Sequence, residues 1–204
     1  MKDKIYLFPV FIRIWHAINA IVIILLIITG ISIQYALEGI MSFKSAIEIH
    51  NIFGLILIFN YLFFIIGNLI SSNGKHYSLI WKNFSKELMQ QAKYYVIEMF
   101  KHKITPFPIN ESRKFNPLQK LAYTATMYVL IPLLIFTGLG LMFPEIVIIR
   151  SVFNLATLFI ADLIHIGSAF FVSVFLIVHL YLCTLGIRKH NTFKSIINGW
   201  HYID

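Results

Sequence analysis

The chain has 204 residues, of which 58% are hydrophobic, with a mean hydropathy of +0.77 and a net charge of +8. A soluble domain carries about 45–50% apolar residues, so this composition excludes a water-soluble enzyme and reads as an integral membrane protein. The single cysteine, Cys183, excludes a disulfide framework within the chain.

Four apolar runs, at about 14–35, 49–70, 117–143 and 161–186, approach the length that crosses a hydrocarbon core about 30 Å thick. They occupy most of the chain. The expectation is one domain over 1–204, an all-α integral membrane protein built as a bundle of four transmembrane helices. An open sheet would leave its backbone unsatisfied in lipid. Met1–Arg13 is basic, but the apolar run behind it is a full span without an A-x-A cleavage site, so it is expected to stay as an uncleaved helix. The charge is uneven: of 17 Lys and Arg, only Lys44 and Arg150 fall in the connections after the first and third runs. This asymmetry assigns both termini and the loop 71–116 to the cytoplasm. It also makes anionic lipid, and not nucleic acid, the partner of the positive charge.

The first run opens with Trp15-His16 and carries Thr29-Gly30 fourteen residues beyond the histidine. A small residue there lets something flat approach the backbone, or serves an ordinary helix–helix contact. The second run begins with His50 and has Gly54 one turn on, on the same face. The loop 71–116 is too long to be structureless. Phe84, Leu88, Tyr95 and Met99, set against Lys86, Lys93 and Lys101, predict an amphipathic helix on the inner membrane face. His76 and His102 lie among lysines there and read as solvated. The third run has no histidine. Asn116 and Pro117 suit a helix start, Pro132 predicts a kink, and Thr137-Gly138 repeats the Thr29-Gly30 doublet. The fourth run holds His165 and His179, and the tail ends in Trp200-His201, with no partner evident for that last histidine.

Ionisable side chains within a span are costly and mark function by default. Fourteen residues make nearly four helical turns, so His165 and His179 share one face about 21 Å apart along the axis. Depth then pairs His50 with His165 near the outer boundary, and His16 with His179 near the inner one. Two bis-imidazole sites suit axial ligation of haem iron, which leaves no open position for oxygen or substrate. Gly30, Gly54 and Gly138 would make room for the rings. No Cys-x-x-Cys-His is present, so covalent attachment is excluded. A zinc or di-iron centre would want a close motif such as His-Glu-x-x-His, which is absent. A cofactor-free anchor or transport component, its histidines structural or proton-carrying, is the reading from another class.

The order of these histidines resembles the bacterial di-haem cytochrome b subunits, among them the formate dehydrogenase gamma subunit and the cytochrome b of nickel–iron hydrogenase. The nearest likeness is to the thiosulfate reductase cytochrome b subunit group. It covers the whole chain through Arg13-Ile-Trp-His16, His50-Asn-Ile-Phe-Gly54, the stretch Gly67–His76, Lys114-Phe-Asn-Pro-Leu-Gln119, Val178-His-Leu-Tyr181 and Ile197-Asn-Gly-Trp-His201. The closing motif departs from the group's usual ending, with Asn198 in place of a threonine. The resemblance implies two haems b on the four histidines and a quinone site beside the inner pair at Asn116 and His179. Gln119 and Lys120 are added to that site as hydrogen-bonding and proton-carrying neighbours. It further implies the inner membrane of a bacterium and menaquinone as the exchangeable substrate. The implied partner is an iron–sulfur or multihaem cytochrome c reductase subunit outside the membrane. Electrons would run from quinol to that partner, or in reverse if the partner is a hydrogenase or formate dehydrogenase. The chain alone would not act on the terminal substrate.

Overall fold

The computed structural model describes residues 4–37, 39, 41–79, 83–101, 103–110, 112–146, 151–152, 155–184 and 191–202. Four of its helices are long and apolar enough to cross a membrane: Val10–Tyr35, Phe43–Ile70, Pro117–Met142 and Thr157–Thr184. We call the first two α1 and α2. The third span is composite, with α4 (Pro117–Ala125) and α5 (Ile131–Met142) joined through a π-helical segment at Thr126–Leu130. The fourth is α6 (Thr157–Thr184). Between α2 and α4 lie a 3-10 turn at Ser72–His76 and helix α3 (Phe84–Lys93), which runs on as irregular helix to Lys101. A short helix α7 (Asn191–Asn198) follows the last span.

Three of the four spanning helices begin before their apolar runs do. α2 starts at Phe43 and not at 49, because Ser42 caps its first turn and Lys44 pairs with Glu48 one turn on. α1 likewise starts at Val10, behind Pro9, and α6 at Thr157. Hydropathy marks the lipid-crossing stretch, whereas caps mark the helix. The end of the fourth apolar run and residues 185–190 lie outside the described residues. Pro132 lacks an N–H for the helical ladder, and the irregularity it predicts takes the form of the π segment immediately upstream.

Two helical hairpins make the bundle, α1 against α2 and α5 against α6, with α2 also touching α5. The first hairpin closes on aromatic packing, Trp15 against Phe64 with ring centroids 4.5 Å apart. The Asn60 side chain bridges to the Trp15 carbonyl and the Asn19 side chain at 3.4 and 3.3 Å. Gly67 makes the approach possible, since a Cβ there would stand 2.6 Å from the Phe11 ring. Many large apolar side chains point away from this core, such as Phe59, Leu69 and Phe170. That is the expected surface of a lipid-facing bundle.

Both chain ends meet at one end of the bundle, here the terminal end. Strand β1 (Lys4–Tyr6) pairs antiparallel with β4 (Trp200–Tyr202), so that Ile5 opposes His201. Two shorter strands, β2 (Ser151–Val152) and β3 (Leu155–Ala156), pair at the opposite, hairpin end. The long loop is tied down by a buried lysine. Lys114 donates to Asn73 at 2.8 Å, Asn73 donates to Asn68 at 2.6 Å, and the ammonium lies 4.5 Å from the Phe8 ring centre. Burial lowers the pKa of Lys114 to about 8.

Candidate functional site

At the hairpin end, α2 and α6 bring His50 and His165 opposite one another, ring centroids 6.2 Å apart at 66°. Each ring is held by a threonine of the preceding helix. Thr29 Oγ1 lies 2.8 Å from His50 Nδ1, and its own proton goes to the Leu25 carbonyl at 2.7 Å. A hydroxyl has one proton to give, so His50 Nδ1–H must be the donor to Thr29. The other nitrogen, Nε2, then carries the free lone pair. His165 repeats the arrangement, 2.9 Å from Thr137, whose proton goes to the Leu133 carbonyl. The adjoining glycines seat the same rings. A Cβ at Gly30 would meet His50 Cε1 at 3.4 Å, and one at Gly138 would meet His165 Cε1 at 3.2 Å. The sequence reading gave these two glycines to a flat cofactor. The neighbour each meets here is an imidazole. At Gly54 nothing lies within 4 Å of such a Cβ.

At the terminal end, α1 and α6 oppose His16 and His179, again with centroids 6.2 Å apart, at 53°. The support differs. The Tyr123 hydroxyl stands 3.3 Å from His179 Nδ1, and Phe175 stacks on the same ring at 5.6 Å and 17°. Cys183 Sγ lies 3.9 Å from His179 Nε2. His16 makes no hydrogen bond among the described residues, and Trp15 packs near it, edge-on, with centroids 6.3 Å apart.

Both pairs can be tested for fit to one metal ion. A metal about 2 Å from each of two imidazole nitrogens sets the ring centres roughly 6 Å apart. Both pairs meet that spacing. Among the described residues, no three His, Cys, Asp or Glu side chains converge on a point, so the donor sets are two imidazoles each. This suits a planar ligand that fills the equator of an iron and does not suit a tetrahedral zinc.

Comparison with known proteins agrees. The model of the prokaryotic cytochrome b561 family matches residues 7–199. This chain belongs to that family. A relative from Escherichia coli (strain K12), named "Putative cytochrome YdhU", is 35% identical over 199 residues, covering 98% of this chain and 75% of the relative. As a cytochrome b561-type protein, the chain is a bacterial multi-pass membrane cytochrome that binds haem b and carries electrons.

The remaining candidates sit at the terminal end of this cytochrome. Asn116 and Gln119 close a capping box at the start of α4. Asn116 Oδ1 accepts from Gln119 N at 2.9 Å, and Gln119 Oε1 accepts from Asn116 N at 3.2 Å. The Asn116 amide also donates to the Tyr95 hydroxyl at 2.7 Å, so both its polar ends are engaged. Lys120 is half-buried beside them, one turn before the Tyr123 that faces His179. His76 is half-buried and not fully solvated. It packs edge-on to Phe115, and burial, with Lys114, Lys75 and Lys120 nearby, pulls its pKa down to about 4. His201 does have a partner, with Nδ1 3.1 Å from Ser195 Oγ. His102 lies outside the described residues. Sequence reasoning missed Thr29, Thr137, Tyr123 and Phe175 as supports of the four imidazoles. The available signal for the first two was the doubled Thr-Gly, each doublet followed by a histidine at the start of the next span.

Proposed function

We propose that this chain is the membrane-anchor subunit of a bacterial respiratory oxidoreductase, holding two haems b and exchanging electrons between the quinone pool and a partner outside the membrane. One observation carries the reading. Two pairs of imidazoles, each 6.2 Å apart, are stacked along a helix that gives one ligand to each. Fourteen residues separate those two ligands, about 21 Å of helix. Bis-imidazole haem supplies one-electron transfer, with both axial positions filled and none left for oxygen or substrate.

The chain's own residues then divide the work. His50 and His165 hold the hairpin-end site, the outer one on the charge asymmetry, and Thr29 and Thr137 keep their Nε2 atoms unprotonated for the metal. His16 and His179 hold the inner site. Gly30, Gly54 and Gly138 leave room beside the outer imidazoles. Beside the inner pair, a quinone head group, menaquinone by family likeness, binds against the start of the third span. Asn116 and Gln119 shape that wall, and the Tyr95 hydroxyl and Lys120 amine supply hydrogen bonds and a proton route to the cytoplasm. The amphipathic helix around α3 lies on the inner leaflet beside it. Quinol oxidation there sends electrons outward to an iron–sulfur or multihaem cytochrome c subunit of a reductase for thiosulfate or a related sulfur compound. Electrons running outward while protons are released inside move down the membrane potential and dissipate it, by about 2.3 kcal/mol per charge per 100 mV, so this direction spends membrane potential.

Ligand substitution tests the reading. His50→Ala and His165→Ala are expected to lose the same haem, and His16→Ala and His179→Gln the other, by difference spectra of the purified variants. Loss of both haems in every variant, or of neither, contradicts the pairing. Lys120→Met and Tyr95→Phe are expected to slow haem reduction by a menaquinol analogue at least tenfold with both haems retained.

A further inference from the structure

We propose that Arg13 is a built oxyanion site beside His16 and pairs with a propionate carboxylate of the haem that His16 and His179 hold. This rests on the di-haem reading above. Arg13 stands three residues before His16 on α1, so the two share a helix face. The guanidinium is rooted about 4.5 Å nearer the terminal end. Both side chains line one cavity of about 370 Å³, walled by Ile14 of α1 and by Ile196 and Ile197 of α7. Arg13 Nε is buried and has no hydrogen-bond partner among the described residues. No ion pair there involves Arg13 either; those found join Lys44, Lys93 and Lys103 to Glu48 and Glu98.

An unsatisfied buried N–H next to apolar walls costs free energy that an incoming acceptor removes. A guanidinium offers paired donors whose fork matches a carboxylate or a phosphate. Haem b carries two carboxylates on one edge of its ring. A ring held by His16 and turned with that edge to the terminal end presents one of them to a residue one turn before its ligand. The same oxyanion chemistry has a second source, a phospholipid headgroup reached by an arginine near the membrane surface. The two sources differ in what they do to the haem.

The oxidised iron–porphyrin centre is one charge more positive than the reduced one, so removing a nearby cation favours oxidation. An arginine on the propionate also holds that carboxyl ionised through neutral pH. The test titrates the full-length chain, loaded with haem b, by spectroelectrochemistry between pH 5.5 and 8. Arg13→Gln is expected to lower the potential of the inner haem and to make it fall more steeply with rising pH. The outer haem should be unmoved. Arg13→Lys, which keeps the charge, should recover most of the shift. In chain loaded with haem dimethyl ester, which has no carboxylate to titrate, the added pH dependence of Arg13→Gln should vanish, leaving only the pH-independent shift from the lost charge. An inner haem unchanged in Arg13→Gln overturns the proposal. So does a steepened pH dependence in Arg13→Gln that persists with the ester, or is absent with native haem, either of which would take the arginine off the propionate and leave lipid phosphate as its partner. If wild type binds no haem at the inner pair, it is the di-haem reading that fails, and this outcome is read before any Arg13 variant.

Discussion

At the residue scale, a hydroxyl proton decides the chemistry of the hairpin-end imidazoles, the outer pair of the proposed orientation. Thr29 and Thr137 spend their only protons on carbonyls one turn back, which leaves them to accept from Nδ1 and frees Nε2. Loss of such a support typically weakens metal binding about 10–100-fold. Thr29→Val is therefore expected to loosen the outer haem within that range and to alter its low-spin ferric EPR signal, with Thr29→Ser close to wild type. An unchanged signal in Thr29→Val would show that the contact is incidental. Gly54 gives a complementary test, because its surroundings are open. Gly54→Leu should keep the helical circular dichroism of wild type yet bind less haem at the outer site. His76 gives a pH dependence. Its folded pKa of about 4 lies below the 6.5 of an exposed histidine, so the unfolded chain binds the proton first. Stability from this group is complete above about pH 6.5 and is lost as pH falls through about 4. His76→Leu should flatten that part of the thermal-unfolding profile.

At the element scale, the α1–α2 hairpin depends on one glycine. A Cβ at Gly67 would stand 2.6 Å from the Phe11 ring, and overpacking of this kind costs about 1–3 kcal/mol. Gly67→Val should lower the melting temperature measurably, while the ligands, which lie further along both helices, are untouched. The four spans were legible in the sequence because hydropathy over twenty residues is a strong, local signal. The histidine pairing was legible because a fourteen-residue interval maps onto one helix face, and direction of travel sets depth. What hid was decided by neighbours that no local pattern names. The meaning of Thr-Gly depends on which helix packs against it. The engagement of Asn116 depends on Tyr95, twenty-one residues away in the chain. The β1–β4 clasp has three residues a side, too few for a period of two to appear, and it explains why His201 looked partnerless.

At the scale of the whole molecule, the bundle is two hairpins that repeat one device. Each carries a Thr-Gly doublet near the end of its first helix and a histidine near the start of its second, and the doublet holds the histidine. The inner site breaks the pattern. As at the other site, one ligand comes from each hairpin, but its supports are Tyr123 and Phe175 in place of threonine. The two sites are thus built alike in ligands and differently in surroundings. Hydrogen bonding and burial around the ligands tune haem potential, so the two haems of the proposed reading should titrate as separate waves. The central claim is the count. Purified full-length chain, examined by a dithionite-reduced minus oxidised spectrum with pyridine haemochrome for quantitation, is expected to hold about two haems b per chain, by the bis-imidazole ligation of its two histidine pairs. One haem per chain would show that only one of the paired sites binds it. None, in protein still folded as helices, would contradict the account outright.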